Sequence, residues 1–110
     1  MDSLKTKITE IAKANPDGFT IYLPSLEFVK KGWVIANANT QNQYSLDFVL
    51  DFAMNHNRII GGYKNENGVF QYDASIVEPN RSLAISLMLL HNQDCIYNLE
   101  TGEYLTNDLK

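Results

Sequence analysis

One cysteine, three prolines and a single tryptophan in 110 residues leave little material for staples or cofactor motifs. Cys95 has no second cysteine to pair with, so an intrachain disulfide and a multi-cysteine metal site are both excluded. It precedes Ile96 in an apparent strand and is expected to be a buried thiol. Basic runs are also missing. The one adjacent basic pair is Lys30-Lys31 and the formal net charge is −4, which argues against nucleic acid as a partner. The acidic residues are scattered, without the dense stripes expected of a DNA mimic. No window of about 18 apolar residues occurs, so no membrane span is predicted. The opening residues MDSLKTKITEIAKAN lack the continuous apolar stretch of a signal peptide, and a soluble cytoplasmic protein is the expectation. A nucleophile elbow, a phosphate loop and a zinc helix are absent as well, which excludes the motif-bearing enzymes. No catalytic, cofactor-binding or metal-ligating residue is assigned.

What remains is ordinary globular usage, 45% hydrophobic and 20% charged, enough for one core in one domain over residues 1–110. The chain is organised around Arg58 to Asp73. Two β-prone runs, Ile59-Ile60 with Tyr63 and Val69 to Tyr72, flank Asn65-Glu66-Asn67-Gly68, which predicts a β-hairpin. Alternation puts Phe70 and Tyr72 toward the core and Val69, Gln71 and Asp73 on a partly wet face. Gly61-Gly62 interrupts the first strand, where paired glycines mark a bulge, a sharp twist or the close approach of another backbone. A phosphate cradle would need a helix to follow, and here a strand follows.

Upstream, Leu4, Ile8, Ile11 and Ala12 give the apolar stripe of a short helix, capped by Asp2 or Ser3 and ended by Asn15-Pro16-Asp17-Gly18. A strand at Phe19 to Leu23 faces Phe19, Ile21 and Leu23 inward, and a second from Trp33 to about Ala38 is expected to pair with it as another hairpin. The polar run from Asn37 to Gln43 leads to Ser45, a good N-cap for a helix over Leu46 to Asn55 with Asp47 in its first turn. After the central hairpin, Ala74 to Val77 continues in strand form, Pro79 stops it, and Asn80 caps a helix from Arg81 to about His91. A strand from Asp94 to Leu99 and a short segment at Tyr104-Leu105 follow. The order α-β-β-α-β-β-α-β predicts a two-layer α+β domain with a mostly antiparallel sheet of about five strands and three helices. Both later helices are apolar around most of their circumference, more than one sheet face needs, and a homodimer is one expectation.

Several residues are candidates for function. Thr40, Gln41, Asn42 and Gln43 combine donors and acceptors in a loop, where binding residues concentrate, and with Gly61, Gly62 and Tyr63 they form the candidate binding surface. His56 and His91 end their helices, where capping explains them better than a metal. An enzyme acting on nucleic acid or nucleotides could be drawn from either histidine with Tyr63, Tyr72 and Asp73, Arg58 lying nearby in sequence, if a cleft brought them together.

Pro16-Asp17-Gly18-Phe19-Thr20, Gly32-Trp33-Val34-Ile35-Ala36, Thr40-Gln41-Asn42, Ile59-Ile60-Gly61-Gly62-Tyr63, Tyr72-Asp73-Ala74 and Thr101-Gly102-Glu103 are short motifs spread over most of the chain. In these motifs the chain resembles a family of short uncharacterised proteins found in gut anaerobes and their mobile elements. The resemblance implies a compact stand-alone domain and no known reaction, and it carries over no functional residue. The family pattern has a glycine soon after Thr-Gln-Asn; Gln43-Tyr44-Ser45 stands here instead. The leading functional expectation is an interaction or inhibitor-like accessory domain whose partner is another protein, without a cofactor. The alternatives are the small enzyme above and a structural homo-oligomer subunit.

Overall fold

The computed structural model describes residues 2–41, 43 and 45–110. Three helices, α1 (Asp2–Ala14), α2 (Leu46–Met54) and α3 (Arg81–Leu90), accompany six strands. These are β1 (Phe19–Tyr22), β2 (Trp33–Ala36), β3 (Ile59–Lys64), β4 (Phe70–Glu78), β5 (Cys95–Asn98) and β6 (Tyr104–Thr106). The expected element order and α+β class hold, with Tyr104–Thr106 forming a full sixth strand. The sheet is antiparallel throughout, in the order β1-β3-β4-β2-β5-β6.

β4 holds the sheet together. Its first half pairs with β3 (Ile60 opposite Ala74) and its second half with β2 (Ala36 opposite Ser75). Side chains alternate along it, and Phe70, Tyr72, Ala74 and Ile76 face the helices. One core joins α1, α2, β1, β3 and β4 around Ile8, Ile21, Leu50 and Ile60. A second joins α3, β2 and β5 around Trp33, Ile35, Ala84, Met88 and Ile96. Each fully buried isoleucine contributes about 1.5–3 kcal/mol by leaving water. All three helices therefore cover one face of the sheet. α2 packs on β3 and β4 and also against α1, which explains why its buried apolar residues occupy more than one side.

The caps form as the sequence predicts. Ser45 Oγ accepts from the Phe48 amide (3.3 Å) and Asn80 Oδ1 from the Leu83 amide (3.0 Å). α1 already includes Asp2 and Ser3, so neither precedes the helix as a cap residue would. At the hairpin tip, Asn65 Oδ1 accepts from the Asn67 and Val69 amides and Gly68 alone takes the positive φ, +79°.

β1 and β2 do not form the expected hairpin. The connection after Leu23 turns back along the outer edge of β1, where the Tyr22 amide donates to the Glu27 carbonyl and the Val29 amide to the Thr20 carbonyl, each at 2.9 Å. That return strip occupies the place a partner strand would take, and β2 lies instead between β4 and β5. Nor is there a bulge at the paired glycines, because the pairing of β3 with both neighbours runs unbroken through them. Close packing is their reason. A Cβ on Gly62 would lie 2.7 Å from Phe70 Cε1 and 2.8 Å from the Gln71 carbonyl oxygen.

The polar loop after β2 interrupts the ladder with β4 and repairs it with a hydroxyl. The Asn37 amide donates to the Ala74 carbonyl (2.8 Å), but the Ala74 amide finds Thr40 Oγ1 (2.8 Å) where a strand carbonyl would stand. Thr40 Oγ1 in turn donates to the Asn37 carbonyl at 3.3 Å. Thr40 is wholly buried, and the chain rejoins the ladder at Gln43, which bridges Tyr72.

Replacing Thr40 with Val keeps the shape and strands the Ala74 amide, so urea unfolding is expected to show a loss of roughly 1–3 kcal/mol, while Thr40→Ser stays within about 1 kcal/mol of the native chain. Gly62→Ala forces a methyl against a carbonyl that cannot move freely, and the same measurement is expected to show a loss of roughly 1–3 kcal/mol.

Candidate functional site: the uncovered face of the sheet

The face opposite the helices is concave and carries an open cavity of about 720 Å³. Register assigns its residues. Thr20, Gly61 and Asp73 stand side by side across β1, β3 and β4, and Val77, Val34, Tyr97 and Tyr104 across β4, β2, β5 and β6. The floor is built from small side chains, among them Gly61, Ala36 and Ser75, and tyrosines 63, 97 and 104 form the walls. Ser75 is only 1% exposed although it lies on this side, packed beside Asp73 and Gly61.

Asp73 sits at the bottom as a half-buried carboxylate. Ser75 Oγ donates to its Oδ1 at 2.8 Å. Gly61 leaves the room both need, since a Cβ there would lie 3.1 Å from Ser75 Oγ and 3.5 Å from Asp73 Oδ1. Burial pushes the Asp73 carboxyl up to about 6, and the Ser75 hydrogen bond pulls the other way without cancelling it. Cys95 corrects the expectation of a buried thiol: it is exposed on this face, because β5 turns Ile96 toward the helices and its neighbour must point away. Partial burial and then the charge of Asp94 push its thiol up, which disfavours the nucleophilic thiolate.

The candidate binding surface is divided by the fold. Gln41, Gly61, Gly62 and Tyr63 line the same cavity, so the polar loop and the glycine strand converge there. Thr40 is internal and structural, Gln43 belongs to the ladder, and Asn42 lies outside the described residues. Gln93 Nε2 donates to Gln41 Oε1 (3.1 Å) and to the His91 carbonyl (3.0 Å), tying the loop to the end of α3.

The histidines are occupied elsewhere. His56 Nδ1–H donates to the Phe52 carbonyl at 2.7 Å and the two rings stack at 3.8 Å. His91 is the C-cap of α3, and its Nδ1 accepts from the Ala38 amide at 3.1 Å, so that nitrogen carries no proton. Neither histidine lines the cavity, and Tyr72 faces the helices beside Phe70. Asp73 and Tyr63 are what the fold brings to the cavity from the set proposed for an enzyme. Among the described residues no group of three His, Cys, Asp or Glu side chains could hold a metal ion, and no helix is long and apolar enough to cross a membrane.

Asp17, Ser75, Gln93, Asp94, Cys95, Tyr97 and Tyr104 are among the lining residues that sequence reasoning missed. Alternation around Ile96 could have turned Cys95 and Tyr97 to one side. Placing that side next to Asp73 required the strand order.

The raised Asp73 carboxyl makes a signed prediction. Its folded value, about 6, lies above its ordinary value of 3.8, so the folded chain holds the extra proton between them. Stability from this group is therefore fully present below about pH 4 and is lost as pH rises through about 6. Asp73→Asn is expected to raise unfolding stability by roughly 1–3 kcal/mol at about pH 7.5 and to leave it nearly unchanged at about pH 4, as read by urea titration at both values. No protein-family model, no curated protein and no solved structure matches the chain, and the geometry of this face carries the functional argument.

Proposed function

We propose that the protein is a small interaction domain that holds a segment of another protein on the uncovered face of its sheet. One observation carries this reading: the sheet is helix-covered on one side only, and its other side forms a tyrosine-walled cavity of about 720 Å³ instead of a flat charged surface. That volume lies in the range of ligand sites, and tyrosine suits binding surfaces because an apolar ring ends in a hydrogen-bonding hydroxyl. Gln41 and Tyr63 reach the cavity from separate parts of the chain, as a binding surface built on a rigid scaffold requires. An accessory or inhibitor-like role fits such a domain. The exposed free thiol of Cys95 supports a reducing setting such as the cytoplasm. The described charged residues of the cavity are all acidic, which disfavours a phosphate polymer there.

Affinity purification from the native cell with mass-spectrometric readout tests the reading against a Tyr63→Ala, Tyr104→Ala double variant. The expected result is a partner recovered with the native protein and lost with the variant, at matched thermal stability. A partner retained by the variant would place the interaction elsewhere.

A second reading, self-association, has its own observation. Leu83, Leu87 and Leu90 follow i, i+4, i+7 spacing on α3, and Leu83 and Leu90 are 55% and 75% exposed. Light scattering at low micromolar concentration is expected to show a dimer that Leu90→Glu converts to a monomer; a monomeric native protein ends this reading.

A further inference from the structure

We propose that the concave face selects a segment carrying a lysine or arginine, whose cationic head docks against the Asp73 carboxylate while its stem lies along the tyrosine walls. The inference rests on the reading that a partner segment occupies this face, and it names what that segment must contain.

Charge is the first argument. The described charged residues lining the cavity are Asp17, Asp73 and Asp94, with no lysine, arginine or histidine among them. Lys110 neutralises Asp94 from outside at 2.7 Å. Asp73 has no such partner: among the described residues it forms no ion pair, and its side-chain hydrogen bond comes from Ser75. The hydroxyl occupies Oδ1 and leaves the second carboxylate oxygen for an incoming donor.

Access is the second. Gly61 stands directly beside Asp73 in the sheet, and its missing side chain keeps the carboxylate open to the cavity. A half-buried carboxylate that has lost part of its hydration gains more from a docked cation than a fully wet one does. The raised proton affinity of Asp73 reports the same unmet demand for positive charge.

The walls supply the third. Tyr63 and the packed Tyr97–Tyr104 pair, with ring centroids 4.8 Å apart, line the cavity, and aromatic rings attract ammonium and guanidinium groups. The stem of a lysine or arginine is apolar enough to lie along such rings. An inorganic cation would want several oxygen ligands, and the floor offers one carboxylate. A nucleic acid would meet repulsion.

The test is a selection of short random peptides displayed on phage against the immobilised native protein, read by sequencing, with selected peptides then titrated against Asp73→Asn and the Tyr63→Ala, Tyr104→Ala variant. Asp73→Asn is expected to fold at least as stably as the native chain, so a loss of binding reports the site. The expected result is lysine or arginine enriched at one position, with affinity falling at least about tenfold in Asp73→Asn. Peptides that lack a basic residue, bind Asp73→Asn undiminished and fail on the tyrosine variant would overturn the cationic preference and keep the binding face. Peptides that bind the tyrosine variant undiminished, or a selection that enriches nothing, would overturn both.

Discussion

The two-residue repeat of β4 is the constraint on which the rest of the molecule depends. This one strand borders both halves of the sheet, so its alternation decides what each face is made of. Phe70, Tyr72, Ala74 and Ile76 feed the two cores under the helices. Gln71, Asp73, Ser75 and Val77 fall on the other side, and a slip of one residue would exchange the two sets. The Thr40 hydroxyl guards that register at the junction. It accepts from the Ala74 amide at the point where β4 passes from one pairing to the next.

Helices on a single face leave the other face to be managed by side chains. Here the sheet lines its hollow with small residues, and Ser75 is held out of solvent beside Asp73 and Gly61. The glycines divide the work between the two faces. Gly61 makes room for Asp73 and Ser75 in the hollow, and Gly62 makes room for Phe19 and Phe70 in the core. A strand that looks weakened in isolation is shaped to admit neighbours from both sides.

Local signals in the sequence carried well. The Ser45 and Asn80 caps, the Asn65–Gly68 turn and the inward faces of β1 and β4 were all legible, because each depends on residues within a few positions of one another. The pairing of β1 with β2 was misjudged for the opposite reason. Nearness in sequence favours a hairpin, but the backbone between Pro24 and Val29 fills the edge of β1 with its own hydrogen bonds and sends β2 past two strands. Cys95 was misjudged because a neighbouring isoleucine says that a strand is half buried without saying which half the cysteine takes. Of the candidate surface, Gln41, Gly61, Gly62 and Tyr63 reach the cavity and Thr40 does not, since a threonine in a polar loop reads the same whether its hydroxyl serves a ligand or a buried amide.

The sequence by itself determined the element order, the helix ends and the side of each strand that its apolar residues occupy, because propensity, capping and alternation act over a handful of residues. Only the tertiary structure decided which strands are neighbours. That choice depends on contacts between residues far apart in the chain, and it brings Asp73, Cys95, Tyr97 and Tyr104 into one hollow although α3 separates β4 from β5 along the chain and β2 separates them in the sheet.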